Sequence, residues 1–557
     1  MLSLLIFLPL IGLPLWLWMP PKWHRWGYLT LTLLQSMIVI GGILPEALNT
    51  EPNWLKWTEN LTWIKVSLGS SGWFQINYSV GLDSVNVLMV LLCAIILPIA
   101  GHASYSISKN DSKGYYLLMS ILNVSLYGCF LAADFFLFFL FFEAILLPMY
   151  FLIGKWGGVN KESAALQFFL YTLAGSLFIL LVMIAVGFSY YDPIETARNV
   201  GIPIGSMDSF PGKALSLHIQ ELIANGRIEP QHIVRTFRFD FGHERDAHGL
   251  PLNLIPDSVL SLTKTWNGYS IRSIAFLLLL IGFLIKLPSV PFHTWLPIAH
   301  VEAPTPISVI LAALLLKVGG YGLLRTAWGY FPDAAISWQG VISGLGLISI
   351  LYGAWCALAQ KDLKRMVAYS SVSHMGYVLL GFSAFQYGGV TGSMLQLFNH
   401  GIVSASLFLL VGVIYDRTKN RDMTSYQGLW KPMPAFTGFT LLAFFAAMGI
   451  PGLNIFIGEL LVLSGVFHTP ELSLTVKLLA TTGMIFSAAY YLRATNQLFF
   501  GSFNTLEESW KEKLKDLTLR EWIILLPLAI FTLLLGLFPQ LLTHLFDVGL
   551  SNWLPQP

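Results

Sequence analysis

The run KLPSVPFHTWLPIAHVEAPTPISVILAALLLKVGGYGLLR, residues 286–325, decides the fold. Lys286 closes the apolar stretch AFLLLLIGFLIK, and Lys317 sits inside ISVILAALLLKVGGYGLL. Each stretch is long enough to cross a bilayer, and a lysine at that depth is costly unless it faces protein interior or water. Between the two lysines stand five prolines in nineteen residues: Pro288, Pro291, Pro297, Pro304 and Pro306. Proline removes a backbone donor and interrupts a helix. Such a break survives at membrane depth only where protein or water satisfies the freed groups. Buried charge beside broken helix points to a route for ions through a membrane.

Two acids pose the same problem elsewhere. Glu143 lies within DFFLFFLFFEAILLPMYFLIG and Glu459 within GLNIFIGELLVLSGVF. The composition agrees with a membrane protein. Hydrophobic residues make up 55% of 557 and charged residues only 11%, against about 25% charged in a soluble domain. A net charge of +2 with no basic run gives nucleic acid nothing to bind. Cys93, Cys129 and Cys356 lie in or beside apolar segments with no CxxC spacing, so they read as small buried hydrophobes rather than cluster ligands or a disulfide. The first segment, LSLLIFLPLIGLPLWLWMP, has neither a basic start nor a small-residue cleavage site and reads as a retained helix.

With about 20 apolar residues per crossing, fourteen spans are expected, near 2–19, 27–44, 83–102, 115–131, 134–153, 164–188, 272–287, 305–327, 337–358, 366–386, 391–414, 434–466, 474–498 and 521–545. Assigning alternate loops to two sides places Lys22, Arg25, Lys109, Lys113, Lys155, Lys161, Lys361, Lys364, Arg365, the Arg417–Lys431 cluster and the basic stretch from Arg493 to Arg520 together. That is 18 of the 32 Lys and Arg. The positive-inside rule makes this face cytoplasmic or stroma-like and puts both termini opposite. The 434–466 stretch is too long for one straight helix and carries Ile450-Pro451-Gly452. Breaks therefore fall in the seventh and twelfth spans, five apart, as two inverted five-helix repeats require. The fold expected is an all-α membrane protein of about fourteen helices. Its segments are 1–110 (first three spans), 111–188 and 271–330 (first repeat), 189–270 (a polar excursion), 331–500 (second repeat) and 501–557 (last span).

The 286–325 run, with DLKRMVAYSSVSHMGYVLLG and NHGIVSASLFLLVGVIYDRT, resembles the antiporter-like subunits of respiratory complex I over about residues 80–500. A glutamate in the twelfth span, where related subunits often carry lysine, resembles the subunit 4 type. The wording around YSSVSHMGY and YDRT is similar to type I NAD(P)H dehydrogenase of cyanobacteria. The resemblance implies a proton-translocating subunit whose partners are the other membrane-arm and hydrophilic-arm subunits, in a bacterial inner or thylakoid membrane. NAD(P)H or ferredoxin, iron–sulfur clusters and quinone (plastoquinone) are then expected in those partners. The chain itself shows no GxGxxG loop, flavin motif or Cys₄ cluster, so no cofactor and no metal is expected in it.

The resemblance also implies roles. Glu143 and Lys286 would form an ion pair that tunes the lysine's proton affinity, while Lys317, His374 and Glu459 would relay the proton along the axis. His293, His300 and His400 would support that path. Buried lysine and neighbouring carboxylate move one another's proton affinity, and histidine titrates near neutrality, so the residue types suit the task. Each has a plainer reading. Lys286 could snorkel to the cytoplasmic edge, Glu143 could be a structural acceptor, and Glu459 a helix cap. His293 and His300 could satisfy backbone freed by the prolines, and His400 could be structural. Asp134 reads as a helix cap at the membrane edge, and His102, His468 and His544 as interfacial. Two departures stand out: Ile298 replaces an acid often seen in that segment, and the 189–270 link, short in the family, runs about 80 residues here. An amphipathic helix is expected near 213–225. His243, Glu244, Asp246 and His248 fit no standard metal spacing and read as a solvated loop. Competing functions are a multisubunit Na⁺/H⁺ antiporter and a structural subunit of a CO₂-uptake complex.

Overall fold

The computed structural model describes residues 1–49, 56–105, 112–202, 213–246 and 251–545; Lys109 and His248 lie outside them. Apolar runs become helices because helix alone satisfies every backbone group within one segment. Among the described residues eight helices are long and apolar enough to cross a membrane, including Ser112–Leu131, Phe135–Trp156, Lys161–Ser189, Thr305–Trp328 and Tyr387–Thr418. Leu2–Pro14, Val87–Ala103, Pro434–Ala447 and Asn454–Phe467 are shorter and equally apolar. The molecule is inside out relative to a soluble protein. Leu166, Leu170, Leu177 and Leu181 on one outer helix, and Ile523, Ile530, Leu533 and Leu537 on another, are exposed, whereas Lys286, Lys317, Arg325 and Glu459 are buried.

Both expected breaks are present. Helix stops at Lys286 and resumes at Trp295, and stops again at Ala447 before resuming at Asn454. The first break is held by side chains: Trp295 Nε1 donates to the Ile285 carbonyl at 2.8 Å and Ser349 Oγ accepts from the Val290 amide at 3.0 Å. At the second, Asn399 Nδ2 donates to the Asn454 carbonyl at 2.7 Å. The helix carrying Lys317 widens into π turns at Leu311–Leu315 and Leu323–Trp328, a local form common at functional sites.

The fold is mostly helical but not all-α. Lys56–Ser67 and Trp73–Leu82 form an antiparallel hairpin, and Val234–Arg235 adds to its second strand in parallel. KWTENLTWIKVS alternates apolar and polar residues over 61–63 and again over 64–67, with a register shift between them. A search for twenty-residue apolar runs passes over so short a signal. The 189–270 excursion is folded, as its length suggests, and its His243 segment is not the solvated loop expected. Its helix Lys213–Ala224 falls where amphipathicity placed it, and Tyr191, Ala197, Ile219, Ile228, Ile233 and Ile255 make a small core of their own. Phe237 and Phe239 pack on the spanning helices through Phe136, at 5.9 Å, and Phe135, also at 5.9 Å. His243 is stacked on Phe239 at 5.6 Å. Among the described residues no group of three His, Cys, Asp or Glu could hold a metal ion.

Candidate functional site

Lys317 is wholly buried. Its Nζ donates to the Ala312 carbonyl at 2.6 Å and lies 2.7 Å from His400 Nδ1. Ala312 belongs to the π turn, where the helical ladder is shifted and a carbonyl is open to a side chain. An ammonium facing His400 Nδ1 must donate to it, which puts that ring's own proton on Nε2. The His400 and His374 rings follow with centroids 5.4 Å apart. His374 Nδ1 lies 3.1 Å from Glu459 Oε1, and the Gln396 amide donates to the same oxygen at 3.3 Å. Lysine, histidine, histidine and glutamate thus make one file, every member at most 2% exposed.

Small residues bring the file together. A carbon on Gly319 would lie 2.7 Å from the Leu287 nitrogen, so the Lys317 helix rides directly on the break after Lys286. A carbon on Gly458 would lie 2.6 Å from Gln396 Oε1, which sets the Glu459 half-helix against the helix carrying Gln396 and His400. Glu459 Oε2 has no hydrogen-bond partner and faces Gly449, a left-handed residue in the break before Pro451. Glu459 therefore does not cap a helix; it looks onto the broken segment.

His400, expected only in support, is the link between Lys317 and His374. The remaining expected residues flank the file. Lys286 is buried at 2% exposure, which excludes snorkelling, and its Nζ sits 4.4 Å above the Phe142 ring with no hydrogen-bond partner. Glu143 is half-buried and lies near Ser176. The expected direct ion pair between Glu143 and Lys286 is not formed: Glu143 Oε1 and Lys286 Nζ are both unpartnered, although the two groups stay within electrostatic range. His300 is wholly buried with neither ring nitrogen hydrogen-bonded, its face on Phe408 at 4.4 Å. His293 rests against Tyr352 and Tyr369, away from any hydrogen bond to the file. Neither histidine satisfies backbone freed by the prolines, because Trp295 and Ser349 do that. Asp134 does cap its helix, accepting from the Phe136 and Leu137 amides at 2.9 and 3.2 Å, and it is buried beneath the excursion, where its backbone bridges Arg238.

Some charged groups escaped the sequence reading. Arg325 and Asp83 form a buried ion pair under Phe239. Their signal was an Arg eight residues beyond Lys317 in the same apolar run. Lys364 is also buried, its Nζ donating to the Ala303 carbonyl at 2.6 Å.

The file's chemistry is acid–base: four titratable groups of three types, shielded from solvent, with hydrogen-bond geometry at both ends. The family of transmembrane proteins described as NADH:quinone oxidoreductase/Mrp antiporter matches residues 132–193 and 254–488, so residues 194–253 fall outside the match. NADH-quinone oxidoreductase subunit M of Rhodobacter capsulatus is 35% identical over 531 residues, 95% of this chain and 90% of that protein. NADH-ubiquinone oxidoreductase chain 4 of Chondrus crispus is 36% identical over 492 residues, 86% of each chain. A chain of respiratory complex I from Thermus thermophilus superposes with a TM-score of 0.75 at 26% identity, covering 99% of both.

Proposed function

This chain belongs to the NADH:quinone oxidoreductase/Mrp antiporter transmembrane family, and on that premise we propose that it is a proton-translocating membrane-arm subunit of a quinone oxidoreductase. It is an integral membrane protein that works inside a multisubunit complex. Electron transfer belongs to partner subunits, which would hold the nicotinamide or ferredoxin site, the iron–sulfur clusters and the quinone. The relatives over nearly the full length are quinone oxidoreductase subunits, which favours this reading over a Na⁺/H⁺ antiporter. A plastoquinone-linked thylakoid complex is the finer reading, supported by the wording of YSSVSHMGY and YDRT.

The observation that carries the proposal is the buried file Lys317–His400–His374–Glu459. A proton leaves the Lys317 ammonium for His400 Nδ1, and His400 releases its Nε2 proton toward His374. His374 in turn gives the Nδ1 proton to Glu459. Each imidazole takes a proton on one nitrogen and gives one from the other. The unpartnered Glu459 oxygen then faces the break at Gly449–Gly452, where the outlet begins. Lys286 and Glu143 act on each other by field: a charge beside a buried lysine changes its hold on a proton.

We further propose fourteen crossings arranged as two inverted five-helix repeats. Support comes from position. Taking 112–328 and 339–499 as the repeats, the broken helix is the fourth member of each, Ile271–Lys286 with Trp295–Glu302 in one and Pro434–Ala447 with Asn454–Phe467 in the other. Glu143 and His374 then occupy the second members, and Lys286 and Glu459 the fourth.

The test is Lys317→Met in the assembled complex, since methionine fills the volume and cannot titrate. Subunit content should be native and protons moved per electron should fall steeply. An assembled variant that pumps at the native ratio would remove Lys317 from the path.

A further inference from the structure

At the basic face a cavity of about 450 Å³ opens between the helices, with Trp156, Glu302, Pro304, Lys364, Arg421 and Arg520 among its walls. Two charged wall residues are buried, each at 5% exposure: Glu521, which is paired with Arg417 at 2.9 Å, and Lys364, the buried cation. Its charged neighbours are Arg421, Asp362 and Glu302. Arg421 takes Asp362 at 3.2 Å, and Glu302 accepts from the Asn160 amide at 2.9 Å. Lys364 is left with a main-chain carbonyl, that of Ala303, at 2.6 Å. That carbonyl also accepts from Ser308 Oγ at 3.3 Å, and the same hydroxyl reaches the His300 carbonyl at 3.2 Å. The helix bearing His300 thus ends on Lys364, and the helix bearing Lys317 begins beside it. His300 is wholly buried with both ring nitrogens unpartnered. It lies within electrostatic range of Lys364 on one side and of Lys317 and His400 on the other.

A buried lysine that lines a cavity on one side and donates to a carbonyl on the other, within electrostatic range of an unpartnered histidine, is placed to carry protons and not to neutralise an acid. Building on the reading of Lys317 as the proton-holding centre, we propose that Lys364 is the inlet residue, passing protons from the cavity to His300 and so to Lys317. The ammonium N–H of Lys364 breaks as an N–H forms on an open His300 nitrogen, directly or through one water. The neutral amine then takes a proton from hydronium in the cavity, and His300 hands its other proton inward. Lys419, Arg421 and Arg520 stand with Glu302, Asp416 and Glu521 around the mouth, and Lys364 reaches from it toward His300.

The experiment uses the whole complex in sealed vesicles and reads protons moved per electron during quinone reduction. Lys364→Arg keeps the charge and the reach, but a guanidinium does not release its proton. Lys364→Met removes the proton, and Lys364→His restores a titrating group. The proposal expects assembled arginine and methionine variants to lose most of the pumping that depends on this subunit. It expects the histidine variant to recover part of it, with its uptake falling off at lower pH than the native lysine because imidazole titrates near about 6.5. A positive charge needed only for structure would be rescued by arginine. Native pumping by Lys364→Arg, or by Lys364→Met, overturns the proposal. Lys317→Met is measured beside them: if it pumps normally the file itself is wrong, and if it fails while the Lys364 variants pump normally only the inlet is wrong.

Discussion

Lys286 and Glu143 show what a single residue's context decides. Both were legible in the sequence because charge in an apolar run is costly and needs a reason. Their distance was not legible, since it depends on how the helices Phe135–Ala144 and Ile271–Lys286 pack. The Lys286 ammonium lies over the Phe142 ring and not on the carboxylate, an arrangement worth about 0.5–2 kcal/mol. Removing one member of a contacting buried pair strands the other at several kcal/mol; two groups that interact only through space do not strand each other. Lys286→Met and Glu143→Gln should therefore each assemble at native level and each pump less, and the double variant should assemble no better than either. Recovery of assembly in the double variant alone, measured by subunit content after purification, would show that the two groups touch in the working complex. Lys364 teaches the reverse lesson. In the sequence it sits between Lys361 and Arg365 and reads as one more basic loop residue. Only the approach of the Ala303 carbonyl from sixty residues away buries it.

Among the elements, the broken helices were read correctly because breakers cluster there, Pro288 with Pro291 and Gly449 with Pro451 and Gly452, whereas the lone Pro98 and Pro527 stand inside continuous helices. The hairpin Lys56–Ser67 with Trp73–Leu82 and the π turns around Lys317 were not read. A strand's alternation spans few residues, and a π turn arises from packing and carries no motif of its own. Close approach between elements was equally invisible, because a glycine in an apolar helix looks like any other small residue. Gly458 is the case with consequences. An added carbon would stand 2.6 Å from Gln396 Oε1 and 3.2 Å from the Gln396 backbone, so the half-helix must move away or the amide must swing. Overpacking of this kind costs about 1–3 kcal/mol. Gly458→Ala should lower the thermal stability of the complex by that order and should widen the 3.1 Å His374–Glu459 contact, reducing pumping more than quinone reduction. Unchanged melting with unchanged pumping would mean that this helix pair has slack.

Across the whole molecule the division of labour follows from what lies inside and outside the family match. Residues 194–253 are outside it, and the file Lys317–His400–His374–Glu459 takes nothing from them. The sequence alone suggested a small folded excursion, but its charges and prolines carry no sign of what it packs against. The structure seats its described residues on the spanning helices. The Phe135 amide donates to the Phe237 carbonyl at 2.9 Å, and Tyr330 Oη donates to the same carbonyl at 3.1 Å. Phe239 covers the buried Arg325 guanidinium, whose partner is Asp83. Replacing 194–253 by a short Gly/Ser linker would expose Phe135, Tyr330 and this ion pair, and core aromatics deleted from their neighbours cost about 3–5 kcal/mol each. The expected outcome is a lower yield of intact complex and a lower melting temperature. Protons moved per electron should remain native in whatever complex survives, since no relay group has been touched. A milder arm, Phe239→Ala alone, should reproduce part of the stability loss and none of the pumping loss. If pumping per electron collapses in the assembled linker variant while Phe239→Ala pumps normally, the excursion belongs to the outlet, and the relay extends beyond Glu459 into residues that the family match leaves out.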